Sequence, residues 1–229
     1  NATGGSVNLI TAKPTEEFEG YTNFTIGGPE LNIVTESALS GPLTENIQGR
    51  LALRYQNREG YGIHTGTGED IDDAIGDLET FNITNTFEYD VNDLLTFRSV
   101  TNYREGLSTL LQDFDISNRI NGVETVVVNG VPTVFPSTNQ FQRVENQQLS
   151  QEFQLLFDSN RWHGIVGAYY FEDAVQSDIL IGTNPRAAYV RGVYPAAPEA
   201  RVVIPASMDV EAYAAFANFT YDFTDAFRV

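Results

Sequence analysis

The sequence predicts an all-β protein, an antiparallel transmembrane β-barrel, on three observations. Apolar and polar residues alternate with a period of two in segment after segment. The connections between these segments alternate between short and long, and the polar strand faces carry charges. A period of two sends successive side chains to opposite faces of a strand. Short turns at one end and long loops at the other, around strands with one apolar side, is the pattern of an outer-membrane barrel.

The elements follow in order. Gly4-Gly5 and Pro14 bracket a short strand over Ser6–Thr11, which ends before the proline removes a ladder donor. In IQGRLALRYQN (47–57), Ile47, Leu51, Leu53 and Tyr55 share one face, and Gln48, Arg50, Arg54 and Gln56 the other. TFNITNTFEYD sets Phe81, Ile83, Phe87 and Tyr89 against Asn82, Thr84, Thr86 and Glu88. LLTFRSVTNYR (94–104) sets Leu95, Phe97 and Tyr103 against Thr96, Arg98 and Asn102. QLSQEFQLLF (148–157) repeats the theme, as does EAYAAFANFTY (211–221), where Tyr213, Phe219 and Tyr221 oppose Asn218 and Thr220.

The short connections are GPLTEN (41–46), DVND (90–93), DSNR (158–161) and DFTD (222–225), rich in Asp and Asn that bond their own backbone. The long ones cover 58–78, about 108–146 and about 177–209, and GGPE (27–30) is one short connection on the elaborated side. A soluble β-sandwich also alternates and stays open as a reading. Its sheets have little use for an inner face bearing Arg50, Arg54, Glu88 and Arg98, whereas a watery lumen holds such charges without the cost of burial. These four are therefore expected to face a lumen, with Leu51, Leu53, Phe81, Phe87, Phe97 and Tyr221 facing lipid.

Composition narrows the function. The chain has 229 residues, 41% hydrophobic, with 13 basic against 31 acidic residues and a formal charge of −18. Nucleic acid calls for a basic surface, so it is not an expected partner. Without cysteine there is no disulfide, no thiolate metal site and no cysteine nucleophile. No apolar run is long enough for a transmembrane helix, which says nothing against a spanning barrel.

The opening NATGGSVNLITAKPTEEFEG resembles the plug–barrel junction of TonB-dependent outer-membrane receptors, in which a Gly-Gly strand ends the plug and a Lys-Pro-Thr segment leads into the first barrel strand. LSGPLTENIQGRLALRYQNREGY (39–61), SVTNYRE (99–105), QLSQEFQLLFDS with WHGIVGAYYFED (148–173) and AYAAFANFTYDFTD (212–225) continue the resemblance in order. It implies a 22-stranded barrel closed by a plug in a Gram-negative outer membrane. Such a receptor imports a ferric siderophore, with cobalamin or a saccharide as alternatives, using energy delivered by TonB, ExbB and ExbD. On this expectation residues 1–15 end the plug, and 16–229 form about eight to nine strands of an incomplete barrel. A small structural or adhesive barrel, closed on eight strands, is the reading from another class.

For the site, NPRAAYVRGVYP interleaves Arg186, Tyr189, Arg191 and Tyr194. Arginine forks and aromatic faces suit an anionic or catecholate iron chelate, and the bland alternative is a loop whose arginines offset neighbouring acids. Glu69, Asp70, Asp72 and Asp73 supply oxygens of the kind calcium takes, but without EF-hand spacing, so a solvated acidic loop is the preferred reading. His64 and His163 have no paired ligands nearby. No metal, cofactor or catalytic constellation is expected, and the chain is not read as an enzyme.

Overall fold

The computed structural model describes residues 12–28, 31–60, 76–113, 123–128, 130–136, 139–182, 202–224 and 227–228. Among the described residues eleven strands run in order: β1 (Glu19–Gly27), β2 (Asn32–Thr44), β3 (Ile47–Arg58), β4 (Leu78–Asn92), β5 (Leu95–Asp113), β6 (Val123–Val128), β7 (Val131–Pro136), β8 (Asn139–Asp158), β9 (Trp162–Gly182), β10 (Val202–Thr224) and β11 (Phe227–Arg228). Nine form one antiparallel sheet in the order β1-β2-β3-β4-β5-β8-β9-β10-β11, and β6-β7 is a separate hairpin. The expected all-β antiparallel architecture is thus observed.

Sequential pairing puts the turns β2–β3, β4–β5, β8–β9 and β10–β11 at one end of the sheet and the long connections at the other. Among the described residues β1 pairs with β2, and β10 with β9 and β11, so the strands form an open sheet and not a closed eight-stranded barrel.

Two features depart from the sequence reading. The strands outrun their expected ends: β5 continues to Asp113, β8 starts at Asn139, β9 reaches Gly182 and β10 starts at Val202. Ladder hydrogen bonds persist here although the alternation weakens, and Phe141 and Leu180, paired across β8 and β9, are buried at this end. The stretch 108–146 also holds the β6–β7 hairpin, whose connection places Gly130 at φ 83°. A glycine there adopts the left-handed backbone of a tight hairpin turn at no steric cost.

The short turns share a second device. The register slips by one residue between Pro42 and Thr44, between Asp90 and Asn92, and between Asp222 and Thr224. A one-residue bulge beside the turn reverses which face every later residue of the strand presents to its partner. At the β8–β9 turn no slip occurs. There His163 Nδ1 lies 2.6 Å from Asp158 Oδ1, and its Nε2 lies 3.3 Å from Asp222 Oδ2. The histidine that looked isolated in sequence therefore staples β8, β9 and β10 together.

The segment before β1 lies against the sheet. Ser40, 2% exposed, accepts the Thr15 backbone N–H at 3.0 Å, and its Oγ lies 2.9 Å from Thr15 Oγ1. Next to it Gly41 leaves room for Phe18, since a Cβ at residue 41 would meet the Phe18 Cα at 2.8 Å. Gly41→Val is expected to lift this segment. Overpacking of about 1–3 kcal/mol should raise the hydrogen-exchange rate of the Thr15 amide at least about tenfold. An unchanged rate would show that the contact does not hold the segment.

Candidate functional site

Residues directly opposite in a ladder share a face, so the register traces both faces across the sheet. Arg50 lies between Ser40 and Thr86, Arg54 between Glu36 and Asn82, and Glu88 beside Arg98. All four charges singled out from the sequence therefore stand on one face.

That face is a connected polar wall. Arg54 Nε donates to Glu36 Oε1 at 2.9 Å and its Nη2 to Gln56 at 3.2 Å, and Gln56 donates to Asn32 at 3.1 Å. Further along, Arg98 pairs with Glu88 and donates through Nη1 to Gln154 at 3.0 Å, while Gln154 donates to Glu152 at 2.7 Å. The Asn102 amide reaches Thr84 at 2.7 Å and Asn82 at 3.2 Å. The two ion pairs differ in burial. Side chains of Arg54 and Glu36 are 46% and 43% exposed, those of Arg98 and Glu88 only 15% and 11%. The exposed pair contributes little through screening and side-chain entropy, whereas a buried partner left alone is costly.

The opposite face carries exposed apolar and aromatic side chains, including Leu51, Leu53, Leu155 and Val166. Six of its aromatics lie in two lines, with Phe87, Phe153 and Phe219 on the same face between them. Phe81 and Tyr89 on β4, Trp162 and Tyr170 on β9, and Tyr213 and Tyr221 on β10 are each separated by eight residues. Trp162 packs on Tyr221 with ring centroids 4.7 Å apart, and Tyr170 on Tyr213 at 5.1 Å.

The two lines slope alike. The ladder from Tyr89 runs through Phe97, Leu155 and Val166 to Ala217, four residues short of Tyr221. From Phe81 it runs through Glu105, Gln147 and Ala174 to Asp209, again four residues short of Tyr213. Four residues at about 3.3 Å against four strand spacings of about 4.8 Å is a slope of about 35°. Eight residues inclined at that angle span a height of about 22 Å, close to the roughly 25 Å apolar band of an outer-membrane barrel. On the long-loop side, the hydroxyl of Tyr55 donates to Glu79 and that of Tyr170 to Glu172, each at 2.9 Å, and Tyr103 donates to Glu105. Each of these tyrosines points its polar tip away from the band and keeps its ring within it. This common slope depends on register, which the sequence pattern does not carry.

Arg186, Tyr189, Arg191 and Tyr194 lie outside the described residues, as do Glu69, Asp70, Asp72, Asp73, His64 and the strand expected at Ser6–Thr11. Among the described residues no group of three or more His, Asp or Glu side chains is placed to hold a metal ion.

No family model matches the chain. Over 63 residues it is 40% identical to the ferripyoverdine receptor of Pseudomonas aeruginosa, a match that takes in 27% of this chain and 8% of that receptor. The chain is thus siderophore-receptor-like, as the resemblance read from its sequence implies, and the protein it resembles is a receptor and not an enzyme. The solved FpvAI–pyocin S2 complex superimposes on 99% of the chain and 42% of its own, at 12% identity and a TM-score of 0.41, a likeness too slight to bear on function.

Proposed function

We propose that this chain forms the first part of the barrel wall of a TonB-dependent receptor that imports a ferric siderophore across a Gram-negative outer membrane. The observation that carries the membrane reading is the pair of parallel aromatic lines. They bound an apolar band of the right height and incline at the tilt of barrel strands. On this reading Arg50, Arg54, Glu88 and Arg98 face the lumen, and residues 1–15 end a plug resting on the wall through Thr15 and Ser40. TonB, ExbB and ExbD supply the energy through segments of the receptor other than these strands. The edge of β1, and that of β10 and the short β11 at the other side, are covered by further strands of the same barrel, because unpaired backbone groups are not tolerated in hydrocarbon.

The substrate reading rests on the similarity to a ferripyoverdine receptor together with Arg186, Tyr189, Arg191 and Tyr194. A chain of charge −18 repels an anionic chelate, so arginines concentrated on one loop make a local exception. Replacing Arg186 and Arg191 together with glutamine in the full-length receptor is expected to weaken ferric-siderophore binding at least about tenfold, the equivalent of about 1.4 kcal/mol, with insertion unchanged. Unaltered binding across a panel of siderophores would remove this site. Tight binding of cobalamin or a saccharide instead would change the substrate class and leave the transporter reading in place.

A further inference from the structure

The polar wall holds one row in which hydrogen-bond donors lack acceptors. Along the ladder Arg54, Asn82, Arg104 and Gln148 follow one another on β3, β4, β5 and β8, about 4.8 Å apart and level with Phe81 at the long-loop side of the band. Arg54 is held by Glu36, but Arg104 is exposed, and among the described residues its guanidinium has no hydrogen bond or ion pair. The Asn82 Oδ1 accepts from Asn102 at 3.2 Å and from Thr84 at 3.3 Å, which leaves the Asn82 amide nitrogen to donate elsewhere. Among the described residues neither that nitrogen nor the Gln148 side chain finds a partner. Two residues beyond Arg104 on the same face stands Gly106, where an added Cβ would meet nothing closer than Thr80 Cγ2 at 3.9 Å, so the guanidinium has open space beside it.

A guanidinium fork flanked by two amide donors suits a ligand rich in anionic oxygens, which supplies acceptors to all three. The chain carries 31 acidic residues, yet none of those described closes on Arg104; the next residue of the row, Asp173, accepts from Asn146 instead. The adjoining row toward the short turns runs Asn102, Ser150 and Phe171, and the Phe171 ring stacks on Tyr169 at 6.3 Å with 17° between the planes. We propose that Asn82, Arg104 and Gln148 form a seat on the inner wall for the anionic oxygens of the transported iron chelate. A flat aromatic part of the same ligand lies against Phe171, two strand spacings or about 10 Å from Arg104. The seat deepens the uptake reading above and rests on it.

The experiment titrates the full-length receptor in lipid nanodiscs with the ferric complex of 2,3-dihydroxybenzoate, which carries anionic oxygens and flat rings, and reads the Kd by calorimetry. Arg104→Gln removes the cation without orphaning a partner in the fold, and it is expected to raise the Kd at least about tenfold. Arg161→Gln, the same change of charge between β8 and β9 at the short-turn end, should leave it unchanged. Equal affinity of wild type and Arg104→Gln overturns the seat and spares the uptake reading. A wild type that does not bind this chelate also overturns the seat; the uptake reading then stands if other ferric siderophores bind, and falls with it if none does.

Discussion

Exchanging Arg98 for leucine is expected to destabilise the folded receptor by about 3–5 kcal/mol, whereas Arg54→Leu should cost less than about 1 kcal/mol. Both arginines sit on the polar wall and both pair with a glutamate from the neighbouring strand. The difference is burial, because losing Arg98 leaves the Glu88 carboxylate nearly out of water with no cation, and also strips Gln154 of a donor. Glu36, close to half exposed, is rehydrated when Arg54 is lost. Equilibrium unfolding by denaturant in lipid vesicles measures both. The pair Glu88→Leu with Arg98→Leu should recover much of the loss, since replacing a whole buried ion pair with apolar groups is often close to neutral. Equal costs for the two single variants would mean that burial does not set the strength of these pairs.

That Glu88 and Arg98 share a polar face was legible in the alternation of their own strands; that they touch was not. The connection DVND read as a simple turn pairs Asn92 with Leu95, and continued without interruption that register sets Glu88 opposite Ser99. The slip between Asp90 and Asn92 moves it by one residue and brings Arg98 alongside. The same slip near Pro42 aligns Glu36 with Arg54. Nothing in the residue pattern announces such a bulge, because Thr44 and Asn92 are the last residues of their strands and too little chain follows for the reversed alternation to show.

Between the aromatic lines apolar and polar residues alternate, interrupted on the apolar face by Asn85, Ser99, Thr101 and Gln151, and that part of the fold is legible in the sequence. Beyond it the alternation weakens, and the extensions of β5, β8, β9 and β10 have no clear mark in the sequence. The β6–β7 hairpin carries a signal in the sequence, Asn129-Gly130 between two valine-rich runs, which is the strongest short-range hairpin mark. The partners of His163 are not legible in sequence because Asp158 and Asp222 reach it from β8 and β10, the strands on either side of β9.

An arginine introduced at Ala217 is expected to cost about 2–4 kcal/mol of stability, while Asn218→Arg, one residue on, should cost less than about 1 kcal/mol. Ala217 lies four residues from both Tyr213 and Tyr221, so a charge there stands at mid-depth on the apolar face with no water to solvate it. Asn218 is at nearly the same depth on the same strand, and its side chain points to the other face, in the row of Thr96 and Asp90. The two sites share a strand and nearly a depth, and each is paired with an aliphatic residue of β9, Val166 for Ala217 and Ile165 for Asn218. What separates them is the medium each face meets, so the comparison removes backbone propensity and height as causes. Unfolding titrations of the full-length receptor in vesicles give both numbers. Similar small costs at the two sites would mean that both faces meet water and that the sheet belongs to a soluble protein. A high cost at Asn218 with a low one at Ala217 would turn the wall inside out, placing Arg50, Arg54, Glu88 and Arg98 on the hydrocarbon side, which their hydration energies forbid.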